Sequence, residues 1–583
     1  MRIYLFIITV VMVICLPSKA QMMATDFKGN GNNNPISANV FCADPTALEY
    51  NGRLYVYGSN DHQQFIANGK KGENKYDEIK SIVVFSTDDM VNWTFHGTID
   101  TKKLCSGWTP SVWYKGYGVS WAPSVTWRTH KRTKKDEFFL YFCNSSHGVG
   151  VLKANSPIGP WTSPLTELMI NYDTPGANPL GTNANFDPGV VIDENGVGWI
   201  SFGGLGPTEI MPEAGRIVKL KYSMTSIDET AVKIHAPYHF EANELNYING
   251  KYVYTYCSNW AQRTDADWNA YKAEHGITSS APNACTMCYM VSDNPMDPNS
   301  WVYKGVYGPH PGMGTNNNHS HLQKFKGQYY HIYHGAPLME SWRKGGVIDD
   351  KTYIFRSICV NKATVNEDAV TISEVKTNLT GVTQIKKLNP YEWQQAETMA
   401  SCGGVDYEDF TNIKKNTTIS ALGNDASENM QVKMRAGSWI NVRGLDYGEA
   451  GASKFTILAK GTATIELRNG SSSRTTVATI EFSSTEMEEQ TFDVPADKLT
   501  GEKSNLYIVV TAATDFYVDA WQFSTSQPTG IRDVENITPV NNNVVRYDLS
   551  GRRLPDGAQY RGIVIEQYTD NNGVRHTRKT LSE

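Results

Sequence analysis

The sequence predicts an all-β protein: a five-bladed β-propeller, then a β-sandwich of the jelly-roll type, then a small C-terminal β tail. Short aromatic strands recur along the first 390 residues. Turns rich in Asp, Asn, Ser and Pro separate them, and a Trp often opens the following strand. Apolar residues at helical spacing are scarce in this region. Together these observations indicate a meander of antiparallel strands.

The recurring strand is found five times. Its copies are NGRLYVYGS from Asn51, EFFLYFCNS from Glu137, GVGWISFGG from Gly196, GKYVYTYCS from Gly250 and GQYYHIYHG from Gly327. Five copies of a several-stranded unit arranged radially make a five-bladed propeller, with a large sandwich or a solenoid as the alternatives. We expect these five to be the inner strands, which converge on a central channel and bring distant residues together.

Composition excludes several classes of protein. Aromatic residues make up 11% of the chain and charged residues 20%, which is unlike a disordered or coiled-coil protein. The net charge is −6 and no long Lys/Arg-rich run stands out, so nucleic acid is not an expected partner. The 583 residues suffice for several domains. We predict a signal peptide over 1–20, the propeller over 21–390, the sandwich over 391–524, and a linker with a sorting segment over 525–583.

The first residues have the pattern of a secretory signal peptide. Arg2 precedes a short apolar run, and Ser18 and Ala20 supply small residues for cleavage. The run is too short for a membrane span, so we expect a secreted, periplasmic or cell-surface protein. Of the nine cysteines, eight follow the predicted cleavage site, an even count that permits disulfides without defining their pairing. For Cys285 and Cys288 we expect a local disulfide or two free thiols rather than a metal site.

Three acids precede repeat strands at matched offsets. Asp44, Asp187 and Glu241 lie roughly nine to eleven residues before the first, third and fourth copies. In a propeller such positions point at a common centre, which predicts a pocket. The alternative is that each Asp-Pro pair opens an ordinary turn and that Glu241 is a solvated loop acid, as we expect for Glu244.

Converging acids among aromatic residues suit the cleavage of glycosidic bonds. One carboxyl group protonates the leaving oxygen while another activates water or attacks carbon. A proton donor at neutral pH needs a raised pKa, which the apolar neighbour Phe240 would favour for Glu241. Neither an HExxH nor a GxSxG motif is present, which disfavours metal-assisted hydrolysis and a serine esterase.

Six short motifs occur in an order that resembles glycoside hydrolase family 43, of the arabinofuranosidase and xylosidase type, over about residues 35–390. They are Ala43-Asp44-Pro45, Trp121-Ala122-Pro123-Ser124, Phe186-Asp187-Pro188, Phe240-Glu241-Ala242, Asn318-His319-Ser320 and Arg356-Ser357. The resemblance implies an inverting mechanism with the base and acid roughly 6.5–9.5 Å apart. Asp44 would be the general base, Glu241 the general acid, and Asp187 the residue that orients Glu241 and raises its pKa.

The resemblance also implies substrate contacts. Trp121 would stack on the sugar ring, and Arg356 would hydrogen-bond its hydroxyls. Phe186 and Phe240 would line the subsite, and His62 would lie at its edge. A core Trp and a solvated surface Arg are the alternatives.

The resemblance to family 43 also implies a metal site. Members of the family often hold a cation, commonly calcium, in the channel near the position of His319, although here His321 replaces a small polar residue. A hydrogen-bonded core histidine is the alternative.

Segments WQQAETMAS, MRAGSWINVRGLDYG and DFYVDAWQF resemble a family 6 carbohydrate-binding module, in which Glu397 and Asp519 would help to hold a structural calcium. Ser438 stands where Asp is usual, and the module either binds polysaccharide or only supports the propeller. No organic cofactor is expected.

The final segment resembles the C-terminal sorting domains of secreted Bacteroidetes proteins. The similarity lies in Tyr547-Asp548-Leu549-Ser550-Gly551-Arg552-Arg553 and Arg561-Gly562-Ile563. A degenerate hairpin without a transport role is the alternative.

These observations predict a secreted glycosidase that removes α-L-arabinofuranosyl units from arabinoxylan or a related hemicellulose. Its partners would be plant cell-wall polysaccharides: arabinoxylan, xylan or arabinan oligosaccharides. A β-xylosidase and an endo-arabinanase of the same family are the alternatives within this class. A polysaccharide-binding protein without activity is the alternative from another class.

Overall fold

The computed structural model describes residues 23–29, 31–108, 118–310, 312, 317–412, 417–418, 430–525, 544–547, 553–555, 562–569 and 575–582. The predicted signal peptide and most of the predicted linker lie outside these residues. The chain separates after Ser524 into a large and a small compact unit. No helix in the described part combines the length and apolar character needed to cross a bilayer.

Five antiparallel sheets follow one another along the chain and form the blades of a propeller. Blade one contains β1 (Ala43–Tyr50), β2 (Arg53–Ser59), β3 (Ile82–Thr87) and β4 (Trp93–Ile99), and blade two contains β5 (Trp121–Thr129), β6 (Asp136–Cys143) and β7 (Val149–Ala154). Blade three contains β8 (Gly189–Ile192), β9 (Gly198–Phe202), β10 (Arg216–Lys219) and β11 (Val232–Lys233). Blade four contains β12 (His239–Ile248), β13 (Lys251–Ser258), β14 (Met287–Ser292) and β15 (Val302–Gly308), and blade five contains β16 (Ser320–Phe325), β17 (Gln328–Gly335) and β18 (Ser357–Ala363). The predicted five-bladed propeller is confirmed.

The first strand of each blade, rather than the repeated aromatic strand, lines the central channel. Strands β1, β5, β8, β12 and β16 contact one another in this order, and β1 contacts β16 to close the ring. The repeated strands β2, β6, β9, β13 and β17 are each the second strand of a blade, so the expectation that they are innermost is wrong. Their long apolar runs arise because a second strand is covered by neighbouring blades on both faces, as in β2, where Leu54 to Ser59 are all buried.

Within the described residues, four short α-helices lie in the connections between strands. They are α1 (Asp61–Ala67), α2 (Thr101–Leu104), α3 (Asp265–His275) and α4 (Pro337–Lys344). The side chain of Asn60 caps α1 by accepting from the N–H of Gln63. A two-stranded ladder, β19 (Val365–Asn366) with β20 (Thr371–Ile372), follows blade five.

The predicted β-sandwich follows the propeller. Its strands are β21 (Gln394–Gln395), β22 (Thr398–Met399), β23 (Ser401–Gly403), β24 (Phe410–Asn412), β25 (Thr417–Thr418), β26 (Met430–Met434), β27 (Trp439–Asp446), β28 (Lys454–Asn469), β29 (Thr476–Asp493) and β30 (Glu502–Ser524). Strand β30 pairs with β27, β26 and β28, so it connects most of this region. Trp521 is fully buried in the core, and Trp439 is fully buried in a separate apolar cluster with Tyr507 and Val509.

The sandwich is joined to blade one. Strand β22 pairs with the outer strand β4, where Thr398 faces Thr94 and Met399 faces Trp93. The ring of Phe95 packs edge-on against Phe410 at a centroid distance of 4.8 Å. One apolar core therefore extends from blade one into the sandwich.

The eight cysteines after the predicted cleavage site are all buried and none of them forms a disulfide, so of the two expectations for Cys285 and Cys288 the pair of thiols holds. The small unit contains an antiparallel sheet of β31 (Val545–Tyr547), β32 (Gly562–Thr569) and β33 (Arg575–Ser582). Most of the motif that resembles a sorting domain, residues 548–552 and 561, lies outside the described residues.

Candidate active site

The three acids that the sequence predicted to converge line a single cavity of about 160 Å³ at the entry end of the inner strands. The complete lining is Asp44, Tyr76, Trp121, Phe186, Asp187, Leu205, Glu241, Asn317, His319 and Arg356. The volume is below the roughly 300–1,000 Å³ of pockets for drug-sized ligands. The cavity therefore suits one small group, such as a single sugar unit.

Backbone irregularities aim the acids into this cavity. Asp44 and Asp187 both have a φ of +48°, and Ala242, next to Glu241, has a φ of +63°. The pairing of β1 with β2 is interrupted after Ala43, and that of β12 with β13 is interrupted around Glu241. Bulges of this kind turn a side chain away from the regular alternation of a strand.

Asp44 is buried and held by three groups. Arg356 Nη1 donates to Oδ1 at 2.7 Å, and the Ser59 hydroxyl donates to Oδ2 at 2.7 Å. The backbone N–H of Asp44 donates to Nδ1 of His334 at 3.0 Å. Burial is the largest single influence and raises the pKa of Asp44, but Arg356, His334 and His319 together outweigh burial and hold this pKa well below its usual range. The Asp44 carboxylate is therefore ionised.

Arg356 is itself buried between two carboxylates. Its Nε and Nη2 donate to Asp61 Oδ2 and Oδ1 at 2.9 and 2.8 Å, while Nη1 is bound to Asp44. The guanidinium carbon lies 4.9 Å from the centroid of the Tyr76 ring. Bidentate pairing of this type fixes the orientation of the guanidinium. Its predicted hydrogen bonds to sugar hydroxyls stay a prediction.

Asp187 is buried and anchors the strand that carries Glu241. Its Oδ2 accepts from the N–H of Ala242 at 2.8 Å, and its Oδ1 accepts from the Cys143 thiol at 3.6 Å. Burial, followed by the negative charge of Asp44, raises the pKa of Asp187 to about 7. The carboxylate thus holds the backbone directly beside Glu241.

The protonation state of Glu241 is opposite to that of Asp44. Burial raises its pKa well above the usual value, and the charges of Asp187 and Asp44 add to this increase. The side chain is only partly covered and lines the cavity. A protonated acid therefore shares the cavity with an ionised carboxylate, as general acid–base chemistry requires.

Of the predicted substrate contacts, Trp121, Phe186 and Arg356 line the cavity and Phe240 does not. The indole N–H of Trp121 donates to the carbonyl of Tyr76 at 2.9 Å. The ring of Phe240 packs edge-on against Trp260 at 4.5 Å. Phe240 therefore packs outside the lining that contains Glu241.

The prediction that His62 lines the pocket is wrong. Its ring is buried and stacks on Tyr407 at a centroid distance of 4.5 Å. It borders another cavity, of about 250 Å³, between the propeller and the sandwich. Successive residues of a helix point about 100° apart, and in α1 it is the neighbouring Asp61 that faces the site.

The expectation of a solvated Glu244 is also wrong. This residue lies on the inner strand β12 and is fully buried. Ser124 Oγ donates to its Oε2 at 3.2 Å, and His321 Nδ1 lies 3.2 Å from its Oε1. Glu244 therefore belongs to the polar interior of the channel.

The sequence reading missed several site residues. Tyr76, Leu205 and Asn317 lie in connections without a repeated pattern, so no signal marked them. Ser59 and His334, by contrast, stand at the ends of the repeated strands β2 and β17. Comparing the ends of the repeats would have identified both.

The surroundings of His319 do not fit calcium. Its Nε2 is buried without a hydrogen-bond partner among the described residues, and its Nδ1 lies 3.8 Å from Asp44 Oδ1. Calcium takes six to eight oxygen ligands, whereas the nearby carboxylate is bound by Arg356. Within the described ranges no group of three or more His, Cys, Asp or Glu is placed to hold a metal.

The donors at Glu397 and Asp519 do fit calcium. Glu397 is fully buried; its Oε1 accepts from the N–H of Met430 at 3.0 Å, and its Oε2 has no partner among the described residues. Asp519 Oδ1 is also buried without a partner there. Burial, and then the charge of Asp519, raises the pKa of Glu397 well above its usual value. The one unsatisfied oxygen of each carboxylate is a hard ligand of the kind that calcium prefers.

Comparison with known proteins agrees with this architecture. Residues 32–371 match the model of "Glycosyl hydrolases family 43", and residues 395–525 match that of "Carbohydrate binding module (family 6)". An arabinoxylan arabinofuranohydrolase of Paenibacillus polymyxa is 35% identical over 85% of this chain and 74% of its own. One of Bacillus subtilis (strain 168) is 34% identical over 89% of this chain and 98% of its own.

A solved structure supports the same relationship. The crystal structure of a family 43 arabinoxylan arabinofuranohydrolase from Bacillus subtilis, in complex with cellotetraose, superposes with a TM-score of 0.72 at 33% identity. The match covers 86% of this chain and 99% of that one. The chain therefore belongs to glycosyl hydrolase family 43 and carries a carbohydrate-binding module of family 6.

Proposed function

We propose that the protein is a secreted, inverting glycosidase that removes α-L-arabinofuranosyl units from arabinoxylan. The observation that carries the proposal is the single cavity in which Asp44 is ionised while Glu241 is protonated. The two relatives described above, both named arabinoxylan arabinofuranohydrolase, support this choice of substrate.

The reaction is a single displacement. Asp44 takes a proton from a water molecule, whose oxygen forms a bond to the anomeric carbon. The bond from that carbon to the xylan oxygen breaks, and Glu241 protonates the leaving oxygen. Asp44 ends protonated and Glu241 ionised, and exchange with solvent restores both. Asp187 acts through its bond to Ala242, which positions Glu241.

The size of the cavity favours removal of terminal units. About 160 Å³ holds one sugar, whereas cleavage within an arabinan chain requires space on both sides of the bond. An endo-arabinanase is therefore disfavoured. A β-xylosidase remains the second candidate, because a xylosyl unit is also a single pentose.

The first test compares the rates of wild type, Glu241→Gln and Asp44→Asn on 4-nitrophenyl arabinofuranoside and 4-nitrophenyl xyloside. The second identifies the first sugar that wild type releases from wheat arabinoxylan, linear xylan and debranched arabinan. We expect arabinose from arabinoxylan, the β-anomer as first product by NMR, and losses in kcat of about 10²–10⁴ in both variants. Xylose as the main product, the α-anomer, or variants as active as wild type would contradict the proposal.

We also propose that Glu397 and Asp519 hold a calcium ion that stabilises the sandwich. Calcium added to chelator-treated protein should raise the melting temperature of wild type but not that of Glu397→Gln. The exposed Glu392→Gln serves as the matched control and should respond as wild type does. An equal response in all three proteins would refute the site.

We propose that the protein is exported from the cytosol. The apolar run from Ile3 to Cys15 and the small residues that follow it support export and cleavage after Ala20. N-terminal sequencing of the protein from the culture medium or periplasm should begin at Gln21. Protein that stays in the cytosol with Met1 would contradict export.

A further inference from the structure

A second cleft, of about 310 Å³, lies where blade one meets the segment that leads into the sandwich. Arg53, Tyr55 and Thr94 contribute from the propeller, and Asn389, Trp393 and Gln395 contribute from residues 386–398. Both domains are needed to form it. Its volume reaches the range typical of ligand pockets, roughly 300–1,000 Å³.

The charges in this cleft balance. Three cationic and three anionic side chains border it, namely Arg53, Lys386 and Lys387 against Asp88, Asp89 and Glu392. Lys386 pairs with Asp88 at 2.6 Å, and Lys387 pairs with Glu502 at 2.7 Å. A site neutralised in this way selects neither a phosphate nor a metal cation, so its ligand is polar and uncharged.

Trp393 supplies an exposed aromatic face. The side chain is 38% exposed, and within the described part of the chain its ring has no ring partner and its indole N–H no hydrogen bond. Amide side chains also line the cleft, and among them Gln395 has an Oε1 that is buried without a hydrogen-bond partner among the described residues. An aromatic face covers the C–H surface of a sugar ring, while amides pair with its hydroxyls. This combination is the chemistry that recognises a neutral saccharide.

The cleft is remote from the catalytic cavity. Asp44 lies at the entry of β1, and Arg53 begins β2 at the far end of the same hairpin. Eight strand residues at roughly 3.4 Å each separate the two ends by about 25 Å. A ligand in the cleft therefore does not contact Glu241.

We infer that this cleft is a non-catalytic saccharide-binding site that takes a second stretch of the xylan main chain. The choice of xylan, unlike the site itself, rests on the proposed function. Two sites on one polymer raise the effective concentration of substrate at the active site without new contacts there.

The test is native affinity electrophoresis of the full chain in gels that contain soluble linear xylan. Trp393→Ala should lower the apparent affinity at least fivefold, while Trp393→Phe, which keeps an aromatic face, should retain most of it. Tyr222→Ala removes a ring of similar exposure (42%) on blade three and should migrate as wild type. All variants should keep the wild-type kcat/KM on 4-nitrophenyl arabinofuranoside, and both Trp393 variants should keep the wild-type melting temperature. Tyr222→Ala loses a ring contact with Arg128 at 3.9 Å and the hydrogen bond that its hydroxyl accepts from the N–H of Lys131, so its melting temperature should fall slightly.

Equal retardation of wild type and Trp393→Ala, equal losses in Trp393→Ala and Tyr222→Ala, or no retardation of wild type would overturn the inference. If the proposed arabinofuranosidase activity is wrong, a different result is expected. Wild type would then leave the aryl arabinofuranoside intact, whereas binding to xylan would still depend on Trp393.

Discussion

The two central carboxyl groups differ because their neighbours differ. Asp44 lies beside a guanidinium, which holds its pKa well below the usual range. Among the described residues Glu241 has no such partner, and it is partly buried beside Asp187 and Asp44, so its pKa is raised. Environment, and not residue type, thus separates the proposed base from the proposed acid.

Replacing Asp187 tests how strongly its negative charge raises the pKa of Glu241. Catalysis needs Glu241 protonated, so activity is lost as pH rises through the pKa of this residue. Asp187→Asn removes a like charge, which lowers the pKa of Glu241 and should move the alkaline limb of kcat against pH to lower pH. The amide oxygen still accepts from the N–H of Ala242 and preserves the geometry. An alkaline limb at the wild-type position would show that Asp187 only positions the strand.

Replacing Arg356 tests the ionisation of Asp44. Arg356→Met removes the positive charge, the pKa of Asp44 rises, and the acid limb of kcat/KM should move to higher pH. The change also leaves Asp44 and Asp61 buried without a cation, a loss of about 3–5 kcal/mol in folding stability. A melting curve should show this loss as a lower melting temperature.

Arg356→Lys is the control for that experiment. It keeps the charge but loses the bidentate fork, so the acid limb should stay near its wild-type position while some stability is lost. An acid limb that moves equally in both variants would show that geometry, rather than charge, controls Asp44.

At the scale of elements, the inner strands hold the acidic residues of the site, whereas the second strands contain the repeated aromatic sequence. Strand β12 is bulged around Glu241, and β1 is bulged after Ala43. Such irregularity removes the alternation that reveals a strand in a sequence. The aromatic second strands are regular because most of their residues pack between blades, with Ser59 and His334 at their ends as exceptions. They were therefore found first and wrongly placed at the centre.

An exposed apolar rim borders the cavity at the loop between β13 and α3. Trp260 is 45% exposed and packs edge-on against Phe240. Leu205, 43% exposed, lines the cavity, and its N–H donates to the carbonyl of Phe240 at 2.9 Å. Since the cavity holds one sugar, the main chain of a branched substrate lies outside it, on a surface of this kind.

We expect Trp260→Ala to lower kcat/KM on arabinoxylan about fivefold, equivalent to about 1 kcal/mol of lost aromatic contact. The rate on 4-nitrophenyl arabinofuranoside should not change, because that substrate has no main chain. Steady-state kinetics on both substrates provide the measurement. Equal losses on the two substrates would show that Trp260 supports the cavity rather than the polymer.

At the scale of the whole molecule, the sandwich completes the propeller. Strand β22 adds to the edge of blade one, and Phe410 packs against Phe95. The two modules found by family comparison are therefore one structural unit. Their separation would expose a strand edge together with apolar core.

A truncation after Pro390 tests this dependence. Without the sandwich, Trp93 and Phe95 lose their cover, and we expect aggregation and a lower melting temperature by size-exclusion chromatography and calorimetry. A chain that ends at Ser524 removes only the small unit and should keep the elution volume expected for a folded chain of its size, together with wild-type activity. A stable, fully active propeller ending at Pro390 would show that the sandwich is independent.

The sequence alone was sufficient for the propeller, for the sandwich, and for Asp44, Asp187 and Glu241 as a converging set, because repeats and short motifs are local patterns. Only the tertiary structure decided the partners of these residues. Arg356 reaches Asp44 across 312 positions, His62 turns toward Tyr407 and Glu244 enters the channel. These contacts depend on how the blades close into a ring, and no spacing along the chain records which face of a strand or helix meets which neighbour.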